Sequence, residues 1–222
     1  MLLRSSFRRS IVVFLVMALL AGLSFSCQKD LASDNIYVQT FTPEVVLTAT
    51  KHYVDSPFYC QQMPVPTDSV ATYQLDMNND GIPDFLFAVE RWTWQGQGSS
   101  FQLDPCLNHQ NFSTFIKPVN EANEIAYIDP EPFPQAYLNG KLIHQYSSWH
   151  GSQIGPIVAS SLQWMTQFKP QHEAFFIGVR ILVEGQYQYG WIEVEAKVNE
   201  IRIRSTGLNR SGNYAIRAGQ LN

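Results

Sequence analysis

The densest run of chemistry-bearing residues is Asp76-Met77-Asn78-Asn79-Asp80-Gly81-Ile82-Pro83-Asp84, with oxygen-bearing side chains at its first, third, fifth and ninth positions. Ca²⁺ takes roughly six to eight hard oxygen ligands at about 2.3–2.6 Å, so this spacing predicts a wrapped cation loop. The expected donors are the side chains of Asp76, Asn78, Asp80 and Asp84 and the backbone carbonyl of Ile82, with Gly81 permitting the sharp turn. Phe87 stands where an EF-hand has its bidentate Glu. Water or a remote carboxylate must then complete the shell, and affinity falls in the range of ~10⁻⁴–10⁻³ M. Three acids within nine residues repel one another, which favours a structural Ca²⁺ between them. The plain alternative is a β-hairpin whose Asn79-Asp80-Gly81 turn is chosen for its backbone, with the acids solvated.

The segment resembles the calcium loops of FG-GAP, thrombospondin type 3 and dockerin modules. Other residues invite a ligand. Trp92 and Trp94 adjoin the Gly/Ser-rich run Gln95-Gly96-Gln97-Gly98-Ser99-Ser100, and Trp149 precedes His150 in a second polar stretch. Binding sites combine aromatic walls with a few polar groups, so Trp92, Trp94 and Trp149 are the candidate contacts for an extracellular glycan. The alternative is a strand end with one ring turned inward. Glu193 and Glu195 fall on one face of a strand about 6–7 Å apart, a separation that suits a glycosidase pair. Such a pair faces its substrate from two sides, however, and alternating acids on a wet face are the commoner outcome. His52, His109, His144, His150 and His172 show no zinc-ligand spacing, and no nucleophile elbow, zinc-protease helix or phosphate loop occurs. A non-enzymatic protein is expected.

Location is written at the N-terminus. Arg4, Arg8 and Arg9 precede an apolar run from Ile11 to Leu23, too short for a membrane-spanning helix of about 20 residues but suited to a signal peptide. Leu23-Ser24-Phe25-Ser26-Cys27 resembles a lipobox, departing from it at Ser24. Residues 1–26 are thus expected to be removed and Cys27 lipidated. Cys27 would hold the mature chain to a bacterial membrane, the outer one being expected, on its periplasmic or surface face. Two or more acyl chains anchor stably where one binds marginally. The odd cysteine count then resolves, because Cys60 and Cys106 remain as a pair in an oxidising compartment. A bridge between them would contribute roughly 3–4 kcal/mol in the chain-entropy model. Two separate buried thiols are the alternative.

Without its signal the chain keeps 12 basic against 19 acidic residues and no basic run, which argues against nucleic acid as a partner. An envelope protein or a glycan fits better. After a polar tether over residues 27–35, residues 36–222 read as a single domain. Ile192, Val194, Ala196 and Val198 alternate with Glu193, Glu195, Lys197 and Asn199, and Ile201 and Ile203 continue the pattern. Period-two alternation means a strand with one dry face. Further strands are predicted over Val45–Ala49, Val70–Leu75, Phe85–Val89, Phe112–Ile116, Ile125–Ile128, Ile157–Trp164 and Phe175–Val183. Many short strands with turns between them predict an all-β, antiparallel sandwich or jelly roll. Tyr189 and Trp191 fall opposite Ile192, as either a second buried layer or an exposed platform. Gly190 between them either lets a large ring fold over the backbone or marks a bulge.

The pairing of an early DxNxDGxxDF hairpin with a later Tyr189-Gly190-Trp191-Ile192 hairpin and an Ile216-Arg217-Ala218-Gly219 ending resembles secreted and lipid-anchored β-proteins of the Bacteroidota type. That resemblance covers about residues 70–220. It implies a β-sandwich and no catalytic residues.

Overall fold

A computed structural model describes residues 35–49, 69–93, 110–129, 133–151, 155–161, 164–165, 174–197 and 199–221. The chain divides into two compact units, Met1–Asp30 and Leu31–Asn222, and every described residue belongs to the second. The signal, Cys27, Cys60, Trp94 and Cys106 lie outside the described residues, and Trp92 is described through its backbone alone.

Fourteen strands follow one another among the described residues: β1 (Ile36–Thr48), β2 (Ser69–Leu75), β3 (Phe85–Thr93), β4 (Gln110–Pro118), β5 (Glu124–Tyr127), β6 (Ala136–Tyr137), β7 (Leu142–Ile143), β8 (Ser148–His150), β9 (Gly155–Ser161), β10 (Trp164–Met165), β11 (Phe175–Val183), β12 (Gln186–Lys197), β13 (Glu200–Asn209) and β14 (Ile216–Arg217). The fold is an all-β antiparallel sandwich. One sheet runs β1-β13-β12-β11-β5-β8, with β6 also on β11; the other runs β10-β9-β4-β3-β2; β14 and β7 form a small ribbon. Both large sheets are built on hairpin meanders, β11–β12–β13 and β2–β3–β4. Several strands run a few residues beyond or short of expectation, and two depart more substantially. β1 begins nine residues before Val45, because a register shift between Thr40 and Val45, around Pro43, hides its alternation. The stretch expected as one strand over Ile157–Trp164 divides into β9 and β10.

Alternation explains the layering. Ile192, Val194, Ala196, Ile201 and Ile203 turn inward from the first sheet, and Phe85, Phe87, Val89, Ile116 and Ile157 meet them from the second. Full burial of each Ile, Val or Phe among them contributes about 1.5–3 kcal/mol before entropy is counted. The opposite face of the first sheet is also dry. Tyr189 and Trp191 pack there with Ala126, Tyr137, Ile143, Ile216 and Ala218. They form the second buried layer, and the exposed platform is not formed. The glycine that accommodates the indole is the cross-strand Gly207, paired with Trp191, where a Cβ would collide with the ring. Gly190 instead lies against the Gly207 carbonyl and Met77, and the β12–β13 register shift falls between Glu193 and Val194.

The sandwich has unlike ends. Where β1 begins lie the turns at 76–84, 119–123, 184–185 and 210–213, the first, second and last of them closed by hydrogen bonds. At the other end lie Thr48, Ser69, Thr93, Gln110, Met165 and Phe175, the strand termini flanking the connections 50–68, 94–109 and 166–173.

Candidate functional site

The Asp76–Asp84 loop joins β2 to β3. It turns through Asn79 and Gly81, at φ of 60° and 86°, a left-handed conformation that glycine and asparagine adopt at least cost. Asp76 closes the turn. Its Oδ1 accepts from the backbone N–H of Asn79 at 2.7 Å and of Asp80 at 3.3 Å, and its Oδ2 from that of Gly81 at 2.7 Å. Asn78 Oδ1 accepts from the Asp80 N–H, Asp80 Oδ1 from the Ile82 N–H, and Asp80 Oδ2 from the Asn78 amide.

Asp84 behaves differently. It is 7% exposed and faces inward, its Oδ2 accepting from the Met77 N–H at 2.8 Å and its Oδ1 from Asn123 Nδ2 at 3.0 Å. Burial pushes its carboxyl above the ordinary value, against the lowering effect of those two hydrogen bonds. Of the residues expected as donors, Asp84 thus turns away from the other side chains of the loop. Asp76, Asn78, Asp80 and the exposed Ile82 remain in the turn, while Asp84 is committed to the interior. Among the described residues no three His, Cys, Asp or Glu side chains group as a metal site.

Two residues outside the motif hold it in place. Asn123, 2% exposed, also accepts the Leu182 N–H through its Oδ1, so its amide joins the loop to β11 across the two sheets. Arg210 donates from Nη2 to the Asn78 carbonyl at 2.9 Å, lies 4.0 Å from the Tyr37 ring centre, and donates its backbone N–H to the Asn35 carbonyl. The start of β1 and the loop are thus tied at one end of the sandwich. Neither residue belongs to a recognisable spacing; only turn-forming Asn and Gly neighbours hinted at their role.

The other candidates are separated. Trp149 lies in β8 of the first sheet and Trp92 in β3 of the second, opposite Asn111. The Trp149 ring is half-buried against Tyr189 at 5.6 Å, and its Nε1 donates to the His144 carbonyl. Arg180, ion-paired with Glu124, sits 4.7 Å over Trp149 and 3.9 Å over Tyr187. That face of the indole is therefore occupied by a cation of the protein itself. Glu193 accepts from the Ser205 hydroxyl, while Glu195 pairs with Arg204 at 2.6 Å and Lys197 at 3.5 Å. Glu44 and Arg204, and Glu200 and Arg202, extend these contacts into an ion-pair ladder across β1, β12 and β13. The two acids expected as a dyad alternative are thus engaged by separate partners. His144 accepts the Tyr146 N–H at Nδ1, and His150 packs 4.8 Å from the Tyr127 ring.

Comparison with known proteins adds no relative: no family model, no curated protein and no solved structure matches the chain.

Proposed function

We propose that the chain is an exported lipoprotein, held on a bacterial membrane through acyl chains on Cys27, whose sandwich is a non-enzymatic binding module. The observation that carries this reading is the contrast between the two ends. The end where β1 begins is pinned by Arg210 and closed by short turns. The two longest connections, residues 49–68 and 94–109, both spring from the far end. The pinned end is the one that follows Cys27 in sequence, and the far end is the one that offers long connections to a partner. Binding residues concentrate on loops carried by a rigid scaffold. Trp92 stands at the far end of β3, and Trp94 belongs to the connection that follows. A glycan is the ligand their chemistry suits. Ser69 and Arg91 are opposite one another, so the connections carrying Cys60 and Cys106 flank a single hairpin. This supports their pairing as a disulfide.

Two measurements test the reading. Cys27→Ser should move the protein from the detergent phase to the aqueous phase; retention in the detergent phase removes the lipid anchor. Titration with envelope polysaccharides should shift tryptophan fluorescence, and Trp92→Ala with Trp94→Ala should abolish the shift. A flat response to every glycan favours a second reading, an envelope protein that engages another protein. Leu138 and Tyr146, 68% and 83% exposed on the segment covering the second core, support that alternative.

A further inference from the structure

We infer that the Asp76–Asp84 loop is a self-sufficient turn, organised by its own N–H groups and locked by an Asp84–Asn123 tie between the sheets, with no cation in the arrangement. The reason to expect an ion was the crowding of three acids. The fold relieves that crowding by another route: each of the seven side-chain oxygens of Asp76, Asn78, Asp80 and Asp84 accepts at least one N–H. The positive ends of these N–H dipoles offset the repulsion among the three acids, and the Arg210 guanidinium holds the Asn78 carbonyl.

Asp84 decides the matter. Its backbone N–H donates to the Leu75 carbonyl and its own carbonyl accepts from Val119, so both its main-chain groups are fixed. Swinging its carboxylate toward a loop ion would strip the Met77 N–H and the Asn123 amide of their acceptor inside the protein. An interior donor left unsatisfied bears the full desolvation penalty. The three remaining side chains and the Ile82 carbonyl form a sparse shell for an ion that takes roughly six to eight oxygens. The ninth residue of the motif is thus a structural link, and Asn123 is the residue that positions it.

Thermal unfolding of the full chain in detergent, in EDTA and in millimolar CaCl₂, tests the inference. The two melting curves should superimpose. Asp84→Asn and Asn123→Ala should each lower Tm by about 3–8 °C in both buffers. Asp80→Asn, which alters an exposed carboxylate, should leave Tm within about a degree. A Tm that climbs with the logarithm of Ca²⁺ concentration, as ligand binding to the native state requires, overturns the inference, decisively so if the climb vanishes in Asp84→Asn. If Asp84→Asn does not fold, the wild-type and Asn123→Ala curves carry the test. An unchanged Tm in Asn123→Ala removes the tie between the sheets.

Discussion

Two regions concentrate carboxylates, and they neutralise them by different means. In the Asp76–Asp84 loop the partners are mainly backbone N–H groups and a buried amide. In the ladder on the first sheet, Glu44, Glu195 and Glu200 meet the guanidinium groups of Arg202 and Arg204 and the ammonium of Lys197. Backbone donors are fixed by the fold and lose no side-chain entropy when they bond. Long cationic side chains must be held in place, and water and salt screen them. The loop should therefore be stiff and nearly independent of ionic strength, and the ladder soft and salt-sensitive.

The largest test of that contrast removes the buried acid. Asp84→Ala leaves two interior donors without an acceptor and should cost about 2–4 kcal/mol in urea unfolding, at low and high salt alike; a loss confined to low salt would erase the distinction. Next comes the turn itself. Gly81→Ala places a Cβ in open space at φ of +86°, so its expected cost of about 1–2 kcal/mol is that of the backbone alone. A neutral outcome would show that the turn relaxes. Arg204→Ala should cost less than about 1 kcal/mol and approach nothing in molar salt. A double-mutant cycle with Glu195→Gln that reported a strong, salt-independent coupling would put the ladder in the loop's class.

The smallest effect concerns sign. Burial raises the Asp84 carboxyl, so in the folded state it takes up its proton at a higher pH than in the unfolded state, and stability from this group grows as the pH falls. The hydrogen bond from Arg202 lowers the Glu200 carboxyl from its ordinary 4.5, so its contribution is present above that value and is lost as the pH falls through the folded pKa. Tm profiles over mildly acidic pH for Asp84→Asn and Glu200→Gln should deviate from wild type in opposite directions. Parallel deviations would contradict the assignment of burial to one and pairing to the other.

Much of the scaffold could be read from alternation. Ile192 to Ala196 and Ile201 to Ile203 face the core as their pattern demands, and Ile36 begins β1 where the polar tether was expected to stop. Direction was harder. Spacing places Asp84 ninth in a motif but says nothing about whether its carboxylate points to the loop or to the interior, because that depends on Asn123, remote in sequence. The second layer is hidden from spacing for a similar reason. The strands that cover Tyr189 and Trp191 are two residues long at β6, β7 and β14, too short to display a period. The arginine over Trp149 was equally hidden, since Arg180 looks like any wet-face residue of β11 until β5 and β8 fold beside it.

The pairing of β1 with β13 has a consequence for how the protein comes into being. Ile36 finds its partner in Asn209, and the second core closes only over Ile216 and Ala218. The first of the described strands must wait for one of the last, so this sheet cannot be completed progressively behind the ribosome. Closing contacts this distant in sequence is slow. For a chain proposed to cross a membrane as an unfolded thread, that delay is an advantage: the protein stays threadable until the residues that complete it have emerged on the far side.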